Sequence, residues 1–340
     1  MHEAVFLLNG TGTHIQAAAP LCHAIWIAML SQNHHSAARL KDALSRLAKT
    51  ASTQTATQST QDEQGPLQLE KPTFKRIYLP GIGENIRAMP NYIARSGIFA
   101  PIARGHRTMH DDAMFLRNER VVIKGSGKQL GEGHADIWMH AMYLQMTCPA
   151  GQRPIVNRAD FLRALGRPVG GSQYEWLHNA IKDLARFTLS IEASRSNGTL
   201  KYSFGNHPSS RLLAMIGGFD YDDEDSEYTL YVDPRWAQIF GNREFTLIDW
   251  STRQCMRHEL SKSLQRLIGT SKDEEQRYSL QILKERAQYK GRLRDFRPAL
   301  ERAINELAEL GLILAPRIET SRRGIEQAVW YRVSDKLHQA

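Results

Sequence analysis

The chain has 340 residues, 41% hydrophobic and 24% charged, enough apolar sequence for about two cored domains and too polar for a membrane-embedded polypeptide. Its formal charge of +8, with a pI near 9.4, favours a polyanionic partner. Eighteen Lys or Arg against twelve Asp or Glu lie between residues 253 and 336, so most of the excess is concentrated in the last quarter.

Residues 1–75 read as a disordered N-terminal tail. Residues 37–48 have the spacing of a basic amphipathic helix, and 50–65 are rich in Ser, Thr and Gln without an apolar period. The apolar stretch 4–30 lacks a basic leader and is interrupted by polar residues, so neither secretion nor a membrane anchor is expected, and Met29 is a second candidate start. Cys22, Cys148 and Cys255 are widely spaced with no CxxC pattern, as in a reduced, cytoplasmic protein.

Folded sequence begins near residue 74. A strand is predicted at 120–124, with a turn at Gly125-Ser126-Gly127, then helices at 135–146 and 158–165. The next helix is marked by a capping box, Ser172 with Glu175. It feeds a hairpin of 188–192 and 200–204 with its turn at Ser196-Asn197-Gly198. Strands at 212–216 and 228–232, separated by an acidic loop at 220–227, complete the first sheet. Helices are then predicted at 253–268 and 278–287, and a third with its N-cap near Asp295, Pro298 in its first turn and its end at Gly311. A second hairpin pairs 312–318 with 328–333 around a turn near Gly324.

One pattern occurs twice at a constant offset. Leu177, Ala180, Ile181, Leu184, Ala185, Leu189 and Ile191 return as Leu300, Ala303, Ile304, Leu307, Ala308, Leu312 and Leu314. The first five follow the i, i+3, i+4, i+7, i+8 spacing of a buried helix face, and the last two alternate like a strand. A helix feeding a two-stranded wing is a winged helix. The expected fold is therefore α+β: two tandem winged-helix domains, helix-turn-helix plus β-hairpin wing, at 76–248 and 249–340 behind the tail.

In such a module the second helix enters the major groove by its N-terminal half. The second copy offers Lys290, Arg292, Arg294, Arg297, Arg302 and Asn305, with Arg317, Arg322 and Arg323 on its wing. The first offers Gln173, Tyr174, His178, Lys182 and Arg186, with Arg195 and Lys201 on its wing, a weaker positive set. Glu306 and Glu309, at the far end of the second helix, would repel phosphate, so only its first half should touch DNA. The competing reading is a solvated helix face with i,i+4 pairing. His134, Asp136 and His140 lack a fourth ligand and a common helix face, so no metal is expected. No phosphate-cradling GxxxxGK[ST] loop and no nucleophile elbow occurs, so neither a cofactor nor an enzymatic activity is expected.

Residues 85–99 read N-I-R-A-M-P-N-Y-I-A-R-S-G-I-F, and this segment resembles the signature of the TrfA-type plasmid replication initiators. The likeness continues more loosely through Gly127, Leu130, Asp136 and Trp138 to the last wing, over about residues 85–333. It implies a protein that binds direct repeats, called iterons, in double-stranded origin DNA, helps melt an adjacent AT-rich segment to single strands, and recruits the host replicative helicase with DnaA. It also implies interconversion between monomer and dimer through the first domain, and an iteron-reading role for Arg292, Arg294, Arg297 and Arg302. Within the signature, Met89, Ile98 and Phe99 read as core. The chain departs from the family's clamp-binding motif, because the nearest candidate, residues 64–69, lacks the final Phe; sliding-clamp binding is not implied. The alternative, a winged-helix transcriptional regulator such as an autorepressor, would use the same modules without melting an origin.

Overall fold

The computed structural model describes residues 82–101, 107–149, 152–206, 210–241 and 243–333, and the expected tail lies outside them. The signature segment supplies β1 (Ile86–Pro90), α1 (Asn91–Arg95) and β2 (Phe99–Ala100). Its apolar residues Met89, Ile93, Ala94, Ile98 and Phe99 are all buried, so this segment is core, as the sequence indicates. β3 (Met109–Arg117) and β4 (Val121–Lys128) pair antiparallel, and β5 (Leu130–Gly131) runs parallel to β2. The turn expected at Gly125–Gly127 is strand instead. A Cβ on Gly125 would stand 2.9 Å from the Leu189 side chain, and one on Gly127 2.9 Å from Phe187, so the glycines let these side chains lie on the backbone of β4.

α2 (Glu132–Thr147), β6 (Ile155–Asn157), α3 (Arg158–Ala164) and α4 (Gly171–Arg186) follow. α4 buries Leu177, Ala180, Ile181 and Leu184, the stripe predicted for it. Its capping box does not form. The helix starts after Gly170, whose carbonyl accepts the amides of Gln173 and Tyr174 at 3.0 and 2.9 Å, so Ser172 is already inside the first turn. β7 (Thr188–Ser194) and β8 (Leu200–Phe204) are the expected hairpin, but β4 captures β7 in a six-pair ladder, giving the sheet order β3-β4-β7-β8 with β9 (Leu213–Ala214) also on β7. β10 (Gly218–Asp222) and β11 (Glu227–Tyr231) form a separate sheet with β6. α5 (Arg235–Phe240) leads to β12 (Phe245–Asp249), which pairs antiparallel with β1.

The helix predicted over 253–268 is broken into α6 (Trp250–Cys255), capped by Asp249, and α7 (Glu259–Ile268). The helix predicted over 278–287 is shorter, because β13 (Glu275–Ser279) precedes α8 (Leu280–Arg286) and Ser279 caps the helix through the Ile282 amide. α9 (Leu293–Glu309), β14 (Ile313–Thr320) and β15 (Glu326–Arg332) complete the chain order. α9 starts one residue after Arg292 rather than after Asp295, which leaves Pro298 inside the helix at the cost of one ladder bond. Its end is as expected: Gly311 takes the left-handed conformation at φ +72 and donates to Ala308 O at 3.0 Å.

Both modules have one topology. α7, β13, α8, α9, β14 and β15, with sheet order β13-β15-β14, match α2, β6, α3, α4, β10 and β11, with order β10-β11-β6. These are two winged helices, and β7, β8 and β9 are an insertion in the first. Thus the repeated helix stripe is structural, whereas its strand extension is not: Leu189 and Ile191 are buried in the inserted sheet, while Leu314 is 58% exposed.

Each module has its own apolar core, and between the cores lies a charged seam. Glu132 and Asp136 on α2 meet Arg253, Lys262 and Arg266 from α6 and α7. Arg253 Nη2 donates to Glu132 Oε2 at 2.8 Å and its Nε to Asp136 Oδ1 at 2.5 Å; Lys262 Nζ reaches Asp136 Oδ2 at 2.9 Å. Arg266 pairs with both Glu132 oxygens and donates to Phe99 O at 3.0 Å. Arg253 and Arg266 are 1% and 0% exposed, so desolvation makes their partners obligatory.

Replacing Glu132 with Ala would leave buried Arg266 without a carboxylate and Arg253 with Asp136 alone, and should lower unfolding stability by about 3–5 kcal/mol in urea titrations, with partial recovery in a Glu132→Leu, Arg266→Met pair. For Asp136, burial works to raise its pKa, but Arg253 and Lys262 outweigh burial and hold it below the ordinary carboxylate range. Its stabilisation is therefore complete above the unfolded value of about 4 and is lost as pH falls through the lower folded value. An acid titration of Asp136→Asn should show less of this loss than the parent chain.

Candidate nucleic-acid interface

The fold turns one face of α9 inward and leaves a stripe outward. Phe296, Leu300, Ala303, Ile304 and Leu307 are buried, while Arg294, Pro298, Arg302, Asn305 and Glu309 are exposed at spacings of three and four. Lys290 and Arg292 are exposed in the loop that enters the helix. Lys290 Nζ also donates to Thr108 Oγ1 of the first module at 2.8 Å. The wing turn is closed by Ser321 N on Ile325 O at 2.8 Å, and Gly324 adopts φ +74, leaving Arg322 and Arg323 exposed at the tip. Arg292, Arg302, Arg322 and Arg323 make no ion pair among the described residues, and Arg294 has only Asp295 at 3.7 Å.

Two of the expected DNA contacts are occupied within the module. Arg297 bridges Glu301 at 3.1 Å and Glu326, tying α9 to β15. Arg317 pairs with Glu275 at 3.0 Å and Glu319 at 2.8 Å in a ladder shared with Arg277 on the open face of the sheet. These are the i,i+4 and cross-strand pairs of the competing reading, and at both positions that reading describes the geometry better.

In the first module the expected residues do not converge on one face. His178 lies against Phe219, Tyr221 and Tyr228, with its Nδ1 3.3 Å from Tyr228 Oη. Tyr174 lies under Arg158 at 4.1 Å, and Gln173 Oε1 accepts from Arg167 Nη1 at 3.2 Å. Arg186 is exposed and Lys182 half-buried. Arg195 and Lys201 are not on the wing: both belong to the inserted hairpin, where Arg195 is exposed and Lys201 pairs with Glu244 at 3.2 Å. The wing of this module is β10–β11, whose tip carries Asp222, Asp223, Glu224 and Asp225, all exposed. Asp222 Oδ1 accepts the Glu224 and Asp225 amides at 2.8 and 3.3 Å. The acidic loop is thus the wing tip itself, a role its composition did not reveal; the alternation of Phe219 and Tyr221 against Tyr228 and Leu230 around it was the available signal.

The histidine-aspartate triplet is divided among separate contacts. His134 Nδ1 accepts the Gly131 amide at 3.2 Å, Asp136 serves the seam, and His140 Nδ1 accepts from Arg87 Nη2 at 3.0 Å. Burial, helped by the Arg87 charge, pushes His140 down to about 3, so it remains the neutral acceptor that Arg87 requires. No group of three or more possible metal ligands occurs among the described residues, nor does a helix long and apolar enough to cross a membrane. Glu306 has a structural role that its position in α9 did not suggest. It is 5% exposed and accepts the amides of Arg257 at 2.7 Å and His258 at 3.1 Å, capping the start of α7 from outside.

The fold and this surface define a tandem winged-helix protein. No family model and no curated protein matches the sequence. Among solved structures, a selenomethionine derivative of domains 2 and 3 of RctB is similar at 12% identity and a TM-score of 0.48, covering 69% of this chain and 95% of that one. A second structure of RctB domains 2–3 is similar at 13% identity and a TM-score of 0.43, covering 72% and 97%.

Glu306→Ala should destabilise the second module by about 1–2 kcal/mol, because the Arg257 and His258 amides at the entrance to α7 lose their acceptor, and thermal melts at pH 7 read this directly. If the first wing faces a polyanion, reversing its tip with Asp223→Lys and Glu224→Lys should tighten duplex binding at low salt; unchanged affinity would place that wing away from DNA.

Proposed function

We propose that this chain is a non-enzymatic replication initiator of the TrfA type, binding iteron repeats in origin DNA chiefly through its second winged helix. The observation that carries the reading is the placement of exposed cations in that module. Lys290, Arg292 and Arg294 surround the start of α9, Arg302 and Asn305 follow on its exposed stripe, and Arg322 and Arg323 stand at the wing tip. A helix start beside a basic wing matches a major groove flanked by its phosphates. The signature at residues 85–99 supports assignment to initiation, and the acidic first wing supports a subordinate role for the first module in DNA contact. In this reading the initiator assists melting of adjacent AT-rich DNA and recruits the host helicase with DnaA, using no cofactor of its own.

Selection from a random duplex library, followed by anisotropy on the winning site, tests the reading. Arg302→Ala or Asn305→Ala should cost about 1–3 kcal/mol on the selected site and relax its specificity. Arg322→Ala with Arg323→Ala should weaken all sequences alike and reduce the salt slope by about 2. Selection of no sequence would sink the proposal. Permanganate footprinting beside the selected repeats separates an initiator, which exposes thymines, from a transcriptional regulator, which does not.

A further inference from the structure

A groove of about 570 Å³ runs along the junction of the two modules and shares no residue with α9 or the basic wing tip. Its walls come from β3 and the end of the signature helix on one side, and from α7, β13 and α8 on the other. Arg95, Arg117 and Arg286 line it against one carboxylate, Glu285, whose Oε1 already accepts from Gln281 at 2.7 Å.

Arg286 differs from Arg253 and Arg266, the two arginines buried in the charged seam. Arg253 and Arg266 each have carboxylate partners, but Arg286 donates only to neutral oxygens: Ser263 Oγ at 2.7 Å, Ser263 O at 3.0 Å and Ala94 O at 2.6 Å. Its buried Nε has no partner. Burial, followed by the neighbouring Arg266 charge, pushes its guanidinium down to about 9, the signature of a cation short of compensation. Arg95 donates to Thr270 O at 2.5 Å, and exposed Arg117 makes no ion pair among the described residues. Apolar side chains lie between these cations. Phe115 and Leu267 are buried, whereas Met114 and Ile282 are 44% and 57% exposed.

A phosphate or a nucleic-acid backbone would engage the arginines and leave Met114 and Ile282 in water. A peptide alternating carboxylates with aliphatic or aromatic side chains would satisfy both sets. We propose that this groove docks an acidic, apolar-rich segment of a partner protein, with its carboxylates toward Arg95, Arg117 and Arg286 and its apolar side chains against Met114 and Ile282. Because both modules contribute walls, such a segment binds only the joined form and stabilises it.

The test uses the full chain and a fluorescein-labelled peptide of about twelve residues that alternates aspartate or glutamate with leucine or phenylalanine. Saturable anisotropy is expected, weakened about tenfold or more by Arg117→Gln and by Ile282→Ser, both at exposed positions. Arg302→Ala should leave peptide binding unchanged, Ile282→Ser should leave duplex binding unchanged, and a peptide with lysine in place of its acids should not bind. Absence of saturable binding, or insensitivity to both groove substitutions, overturns the proposal. Displacement of the peptide by equimolar pyrophosphate or duplex DNA also overturns it, assigning the groove to a phosphate ligand. Peptide and duplex are read on the same variants, so failure of this site is distinguishable from failure of the DNA-reading surface.

Discussion

The ionic seam between α2 and the α6–α7 corner is the constraint on which the remaining arrangement depends. Two arginines removed from water cannot be left without carboxylates, and the carboxylates come from the opposite module. An apolar interface of equal area would hold the modules together, but it would tolerate sliding and rotation. Charge-assisted bonds with defined donor and acceptor positions admit one register. The signature segment reinforces that register: Arg95 donates to Thr270 O, and Arg286 donates back to Ala94 O. The segment that stands out in sequence as a family signature is, in the fold, core that also bonds across the junction.

Given a fixed junction, the two winged helices are free to differ in charge. The first places carboxylates at its wing tip and folds His178, Tyr174 and Gln173 into contacts of its own. The second places arginines at its wing tip and at the mouth of α9, while spending Arg297 and Arg317 on internal bracing. Cations grouped at both a helix mouth and a wing tip are therefore found in the second module and not in the first. Glu306 shows the same economy within α9: the acid that would repel phosphate is turned inward to cap α7.

The two repeated helices were legible from residue order alone, because a buried stripe at 3.6-residue spacing is a local property and both have strong ones, whereas the short helices α1 and α5 and the break between α6 and α7 were not. The helix-hairpin succession, the buried signature and the basic mouth of α9 could be read in the same way. Strand partners could not. β6 has only three residues and β13 is polar, so both mark the modules only by what they pair with, and β7 alternates as well as any wing strand would. Only the ladder with β4 decided that β7 joins an inserted sheet and that the acidic hairpin β10–β11 is the true wing. Likewise, which arginines are free and which are buried against Glu132 depends on contacts more than a hundred residues apart. Periodicity and local charge determined that two helix-centred modules exist and that the second is basic. Pairing and burial, which depend on distant residues, decided which hairpin is a wing, which cations face solvent and how the modules are held together.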